Sequence, residues 1–105
     1  MEPQISVVAP VYNEEALVRE FYERVTTVMS CLGEPWELIL VDDGSRDQTP
    51  EELDRIQAGD PDHVIVVHFA RNFGHQLAIT AGMDYARGNA VVTIDSDLQD
   101  PPEVI

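Results

Sequence analysis

Trp36-Glu37-Leu38-Ile39-Leu40-Val41 runs straight into Asp42-Asp43-Gly44-Ser45. A short, largely apolar run cut off by turn residues reads as a strand buried in a parallel sheet. The pattern recurs on both sides. Ile5–Pro10 (ISVVAP) leads into Val11-Tyr12-Asn13-Glu14, and Val64–Phe69 (VIVVHF) leads towards Arg71-Asn72-Phe73-Gly74. Ala90–Ile94 (AVVTI) ends in Asp95-Ser96-Asp97.

Helix signals fill the gaps. Asn13 is placed to cap a helix, with Glu14 and Glu15 at its positive end. Leu17, Val18, Phe21, Val25, Val28, Met29 and Leu32 then share one helical face, and Gly33 suits the C-terminal cap. Thr49–Ala58 forms a second helix with Pro50 at its first position, broken by Gly59-Asp60-Pro61-Asp62. His75–Ala86 forms a third, opened by Gly74 and closed near Gly88. The order βαβαβαβ predicts an α/β fold: a parallel sheet with helices on both faces.

The chain has 105 residues, the size of one small domain. Apolar residues make up 44% and charged residues 25%, which excludes disorder, collagen and a pure coiled coil. Twenty acidic residues face six arginines and no lysine, for a net charge of −14. Such a surface argues against nucleic-acid binding and against an electrostatic membrane anchor. No apolar run approaches a membrane-spanning length, and Met1-Glu2-Pro3-Gln4 is no signal peptide. The single cysteine, Cys31, excludes an internal disulfide and fits a reducing compartment such as the cytoplasm. Its place near an apolar helix face predicts a small buried hydrophobe. The chain ends just after Asp100-Pro101-Pro102-Glu103, which looks like a helix start. That ending predicts a domain cut short at its C-terminus.

All four strands of a parallel sheet end on one edge, where ligands of open α/β folds bind. Asp95 and Asp97 are two apart, so at the end of an extended segment they point the same way. Two such carboxylates repel unless one is protonated or a cation lies between them. Mg²⁺ or Mn²⁺ suits them, keeping positions open for phosphate oxygens, and Gln99 could add a neutral oxygen. A solvated acidic turn is the plainer reading of an isolated Asp-x-Asp. Its strand-end position and the second acid pair favour the cation. Asp42-Asp43-Gly44-Ser45 is a good turn in its own right, or one of its carboxylates accepts hydrogen bonds from a ribose or base. A diphosphate could enter so acidic a crevice only with a divalent cation, helped by Arg71 or Arg46. Nucleotide and cation therefore stand or fall together. His75 is either a helix-start residue or a ligand contact, while His63 and His68 read as surface or satisfied core residues. The chain lacks G-x-G-x-x-G, the P-loop and G-x-S-x-G, so dinucleotide, P-loop and hydrolase readings fail.

Four strings together resemble the inverting glycosyltransferases of family 2. They are Val8-Ala9-Pro10-Val11-Tyr12-Asn13-Glu14-Glu15, Val41-Asp42-Asp43-Gly44-Ser45, Arg71-Asn72-Phe73-Gly74 and Asp95 through Glu103. The third string with Asp97-Leu98-Gln99-Asp100-Pro101-Pro102 is narrower and resembles the polyprenyl-phosphate subgroup. That subgroup includes dolichol-phosphate mannose synthase and bacterial bactoprenol-phosphate glucosyltransferases. The resemblance implies a GT-A-type, Rossmann-like fold, of which residues 1–105 are the N-terminal, nucleotide-sugar-binding half. It implies that Pro10, Tyr12, Glu14, Val41, Asp43 and Ser96 meet the donor nucleotide. It implies that Asp95, Asp97 and Gln99 surround Mg²⁺ or Mn²⁺ and the diphosphate. A UDP-sugar is the preferred donor and GDP-mannose the second, with a polyprenyl phosphate as acceptor in longer relatives. Those relatives work at the cytoplasmic face of the membrane, in making cell-envelope glycans. Much of their acceptor site lies beyond the length of this chain. The resemblance therefore implies weak or no nucleotide binding and no turnover by these 105 residues alone.

Three other readings compete. A receiver domain places its acid pair after the first strand and uses a lysine, which this chain lacks. A nucleotidyltransferase opens with a Gly-rich, basic loop, which Pro10-Val11-Tyr12-Asn13 is not. A non-catalytic assembly fragment differs from the enzyme half in one observable, metal-dependent binding of a nucleoside diphosphate. A sheet ending at a fourth strand has an open edge, which predicts homo-oligomers.

Overall fold

The structure is a computed structural model that describes residues 2–99 and 101–104. Four parallel strands alternate with three helices: β1 (Ile5–Val11), α1 (Val18–Leu32), β2 (Trp36–Asp42), α2 (Thr49–Gly59), β3 (Val64–His68), α3 (His75–Tyr85) and β4 (Ala90–Thr93). A single 3₁₀ turn follows at Pro102–Val104.

The strand order is β3-β2-β1-β4. Ile5 pairs with Trp36 on one side and with Ala90 on the other, and Leu38 pairs with Val64. The chain winds outward from β1 to β3, then crosses back to place β4 on the far side of β1. That reversal is a topological switch point, and it opens a crevice beyond the carboxyl ends of β1 and β4.

Both faces of β1 and β2 are covered, so alternate residues feed two cores. Val7, Ala9, Val11, Leu38 and Leu40 pack with α1 and α2. Val8, Ile39 and Val41 pack with Ala78 of α3. This explains the unbroken apolar runs of the sequence. Helix α1 contributes Val18, Phe21, Val25 and Met29, all fully buried. Helix α3 instead turns its small residues, Ala78 and Gly82, to the sheet. A Cβ on Gly82 would overlap the Val8 side chain, so α3 lies too close for anything larger.

Glu37, near the start of β2, is a buried acid, and it is fully satisfied. Its carboxylate accepts the Ser6 hydroxyl at 2.6 Å and the Arg87 backbone N–H at 2.7 Å. The Arg87 guanidinium adds contacts at 3.3 Å. This buried cluster fixes the α3–β4 loop at the pole opposite the crevice.

Three sequence expectations are corrected here. Helix α1 begins at Val18, with Leu17 as its uncapped N-cap, and Asn13 lies outside it. Asn13 sits at φ 52° and is held by the loop after β2 instead. Its N–H donates to Ser45 Oγ at 2.9 Å, and its Oδ1 accepts the Arg46 N–H at 2.8 Å. Cys31 is exposed, not buried, and Leu32 is 48% exposed. Both lie in the last turn of α1, off the stripe of Val18, Phe21, Val25 and Met29 that packs on the sheet. Gly33 does adopt the left-handed cap at φ 75°.

Candidate functional site

The carboxyl ends of β1 and β4 splay around a cavity of about 290 Å³. Of the residues singled out in the sequence, Pro10, Tyr12 and Glu14 form one wall, and Asp95, Ser96 and Asp97 form the other. Asp43 lines the same cavity, with Val11 and the loop that carries Asn72, Gly74 and His75. Backbone bonds set this arrangement: the Asp43 N–H donates to Val11 O at 2.8 Å, and the Ile94 N–H donates to Val8 O at 3.0 Å.

Two of the expected residues lie elsewhere. Val41 is fully buried against α3, so its side chain belongs to the core and does not reach the cavity. Gln99 is exposed and outside the lining; its backbone N–H donates to Asp97 Oδ1 at 3.0 Å. That bond fixes the Asp97 side chain across a turn in which Leu98 adopts φ 65°. A leucine in the left-handed region is strained, a strain that often marks functional loops. Asp100 lies outside the described residues.

Asp43 is almost fully buried, and its carboxylate is already engaged. Oδ1 accepts the Phe73 N–H at 2.8 Å, and Oδ2 accepts the Gly74 N–H at 3.1 Å and Asn72 Nδ2 at 3.2 Å. Asp43 therefore anchors the Arg71–Gly74 loop. Ser96 is similarly committed, its buried hydroxyl donating to Pro10 O at 3.1 Å. This ties the acid-bearing turn to the end of β1. Arg24 on α1 forms a forked ion pair with Glu103, one arm at 3.0 Å, which holds the far end of the same segment.

Asp42 points the other way. Its Oδ1 accepts the Ser45 N–H at 2.9 Å, and its Oδ2 meets His68 Nδ1 at 3.0 Å. His68 Nε2 lies 2.8 Å from Asp54 of α2. Burial works against a charge on His68, but the flanking carboxylates outweigh it and raise its pKa above 6.5. These groups line a second recess of about 470 Å³, together with Arg46 and Arg71. The two recesses share Tyr12 and Asn72. The arginines expected to help a diphosphate thus face the second recess; Arg71 lies 4.7 Å over the Phe73 ring. His63 is a satisfied structural residue, stacked on Trp36 at 4.1 Å and bonded to Asp60.

The electrostatics of the first cavity favour a cation. Glu14 has its pKa raised, first by burial and then by the charges of Asp97 and Asp47. The described residues contain no cluster of three or more His, Cys, Asp or Glu placed to hold a metal ion. The acid pair thus offers no closed cage. Asp95 and Asp97, which line the cavity together, are the residues that would hold a divalent cation, with water and phosphate oxygens needed to complete its shell.

His75 and Asn72 were not chosen from the sequence as site residues. Asn72 stands inside a quoted motif, and His75 reads from the sequence as either a helix start or a ligand contact. The signal that could have found them is the strand-end rule applied to β3 as strictly as to β1, β2 and β4. No helix among the described residues is long and apolar enough to cross a membrane.

Comparison with known proteins gives this geometry a context. The uncharacterized glycosyltransferase YkcC of Bacillus subtilis is 56% identical over 102 residues, which cover 97% of this chain and 31% of that protein. The undecaprenyl-phosphate 4-deoxy-4-formamido-L-arabinose transferase of Pectobacterium atrosepticum is 46% identical over 101 residues, covering 96% and 31%. The chain therefore spans about a third of the length of these relatives. Among solved structures, the Pyrobaculum calidifontis mannosyltransferase PcManGT, in complex with GDP-Man and Mn²⁺, superposes with a TM-score of 0.79 at 26% identity. That match covers 96% of this chain and 34% of the other. Glucosyl-3-phosphoglycerate synthase of Mycobacterium tuberculosis, in complex with Mn²⁺, UDP and phosphoglyceric acid, matches with a TM-score of 0.67 at 31% identity. It is covered to 33%, against 90% of this chain. The fold is thus that of the GT-A glycosyltransferases. The model of the family described as "Glycosyl transferase family 2" matches residues 6–105, nearly the entire sequence, and to that family the chain belongs.

Proposed function

We propose that this chain is the donor-binding half of an enzyme that moves a sugar from a nucleotide-sugar to a polyprenyl phosphate. The donor is a UDP-sugar in preference to GDP-mannose, and transfer inverts the anomeric carbon. One observation carries the reading: Asp95 and Asp97 share a single cavity with Pro10, Tyr12 and Glu14, at the switch point of the sheet. The undecaprenyl-phosphate transferase relative supports the lipid-phosphate acceptor. The solved relatives holding Mn²⁺ with GDP-Man or UDP support the donor and the cation.

In this reading Asp95 and Asp97 would hold Mg²⁺ or Mn²⁺, which would supply Lewis-acid stabilisation of the departing diphosphate. The protein's own groups position the donor. Tyr12 lies where the two recesses meet, so a nucleoside there would reach the second recess while its diphosphate faces the acid pair. Asp43 and Ser96 hold the walls in place and leave few polar groups free to move. The acceptor's phosphate oxygen, already ionised near neutral pH, attacks C1 from the face opposite the diphosphate. The new C1–O bond forms as the old one breaks, and its electron pair leaves with the diphosphate. Acceptor binding and turnover, at the cytoplasmic membrane face, belong to the rest of a protein of the relatives' length.

Ligand-observed NMR on this chain tests the donor half, because it detects weak binding. UDP and GDP are added with Mg²⁺ or with chelator. Saturation transfer to UDP that needs the cation is the expected result. Absence of transfer to either nucleotide, with cation present, refutes the reading.

A further inference from the structure

We propose that His75 is the side-chain hydrogen-bond donor that holds the diphosphate of the nucleotide against the acid pair; the inference rests on the donor-site reading above. It comes from an inventory of donors. The first cavity is lined by Glu14, Asp43, Asp95 and Asp97, and by no arginine, in a chain without lysine. A cation can offset those charges, yet phosphate oxygens still need N–H or O–H partners. Most polar side chains around the cavity have none to give. Asn72 Nδ2 is spent on Asp43, and the Ser96 hydroxyl on Pro10 O. Tyr12 stands where the two recesses meet.

That leaves His75 at the acid-pair end. It is the first residue of α3, and its side chain is 60% exposed. Nε2 lies 3.5 Å from Asp95 Oδ1, beside the group expected to meet the cation. This is too long for a strong hydrogen bond, so Asp95 does not claim the N–H. An imidazole can present an N–H whether neutral or charged, so the role does not require protonation. Both Gly74 and the ring lie at the start of α3, and the Asp43 carboxylate fixes the Gly74 N–H at 3.1 Å. The loop that carries His75 is thereby held in place before any ligand arrives.

The test compares UDP with uridine, each titrated with Mg²⁺ by NMR chemical shift, on the wild type, His75→Ala and His75→Gln. Loss of a hydrogen bond to a charged phosphate should weaken UDP about tenfold or more in His75→Ala. Uridine, which lacks the diphosphate, should bind all three chains equally. His75→Gln keeps an N–H donor and should recover part of the UDP affinity. Unchanged UDP affinity in His75→Ala overturns the inference while leaving the donor-site reading intact. Equal loss for UDP and uridine also overturns it, because the residue would then only shape the site. A defect in binding Mn²⁺ alone, followed by electron paramagnetic resonance, overturns it in favour of metal ligation. A wild type that binds neither UDP nor uridine overturns the donor-site reading and this inference together.

Discussion

The Phe73 N–H donates to Asp43 Oδ1 at 2.8 Å, which makes the acidic turn after β2 and the loop after β3 one mechanical unit. The neighbouring Gly74 N–H and Asn72 amide reach the same carboxylate. Removing it strands two backbone donors in a partly buried place. Asp43→Ala should cost about 2–4 kcal/mol in urea denaturation, since hydrogen bonds to charged groups contribute ~1.5–3 kcal/mol each and are not additive. Amide exchange at Phe73 and Gly74 should speed up more than exchange in β1. Full protection of both amides in the variant would show that the loop holds itself.

Gly44 carries the other side of this junction. It sits at φ 73°, and a Cβ there would overlap the backbone of Arg71 and Asn72. Gly44→Ala combines left-handed strain with a backbone clash, each of order 1–3 kcal/mol. Thermal unfolding should drop by several degrees. Gly59→Ala, which meets open space, is the matched control and should change little.

Much of this design is visible in the residues alone. Apolar runs gave the strands because β1 and β2 are covered on both faces, and the spacing of Val18, Phe21, Val25 and Met29 gave the core face of α1. The start of α1 was hidden because Asn13 bonds to Ser45 and Arg46, 32 and 33 residues away. Local capping rules cannot see such partners. Cys31 and Leu32 were misread because periodicity does not say how wide the buried stripe of a helix is. At the site, strand-end position picked out Asp95 and Asp97, and the family resemblance added Tyr12 and Glu14. It could not separate a carboxylate facing the cavity from one spent on a loop, as in Asp43. Nor could it show that Val41 turns its side chain to α3.

His68 gives the stability a pH signature. Its pKa in the folded chain lies above 6.5, despite burial, because Asp42 and Asp54 flank it. A raised histidine adds stability that is complete below the unfolded value and fades as pH rises through the folded value. The wild type should therefore exceed His68→Asn in melting temperature most below pH 6.5, with the gap closing at higher pH. A gap that widened with pH would reverse the sign and contradict the bridge.

Strand β4 pairs with β1 along Ala90–Thr93, and the sheet order leaves it at an edge. It carries no charge, and Val91 is 41% exposed. Uncharged edges pair with other chains unless something blocks them. Sedimentation velocity should show self-association that grows with concentration, reduced in Val91→Lys. A monomer at all concentrations, identical for both chains, would contradict this.

The central claim is that Asp95 and Asp97 admit a diphosphate by sharing a divalent cation with it. Its most direct measurement is calorimetric titration of UDP with Mn²⁺ into wild type, Asp97→Ala and Asp62→Ala, the last removing an exposed acid that lines neither recess. The account predicts Mn²⁺-dependent heat in the wild type and Asp62→Ala, and its loss in Asp97→Ala. Equal heat in all three chains, with or without Mn²⁺, would contradict it.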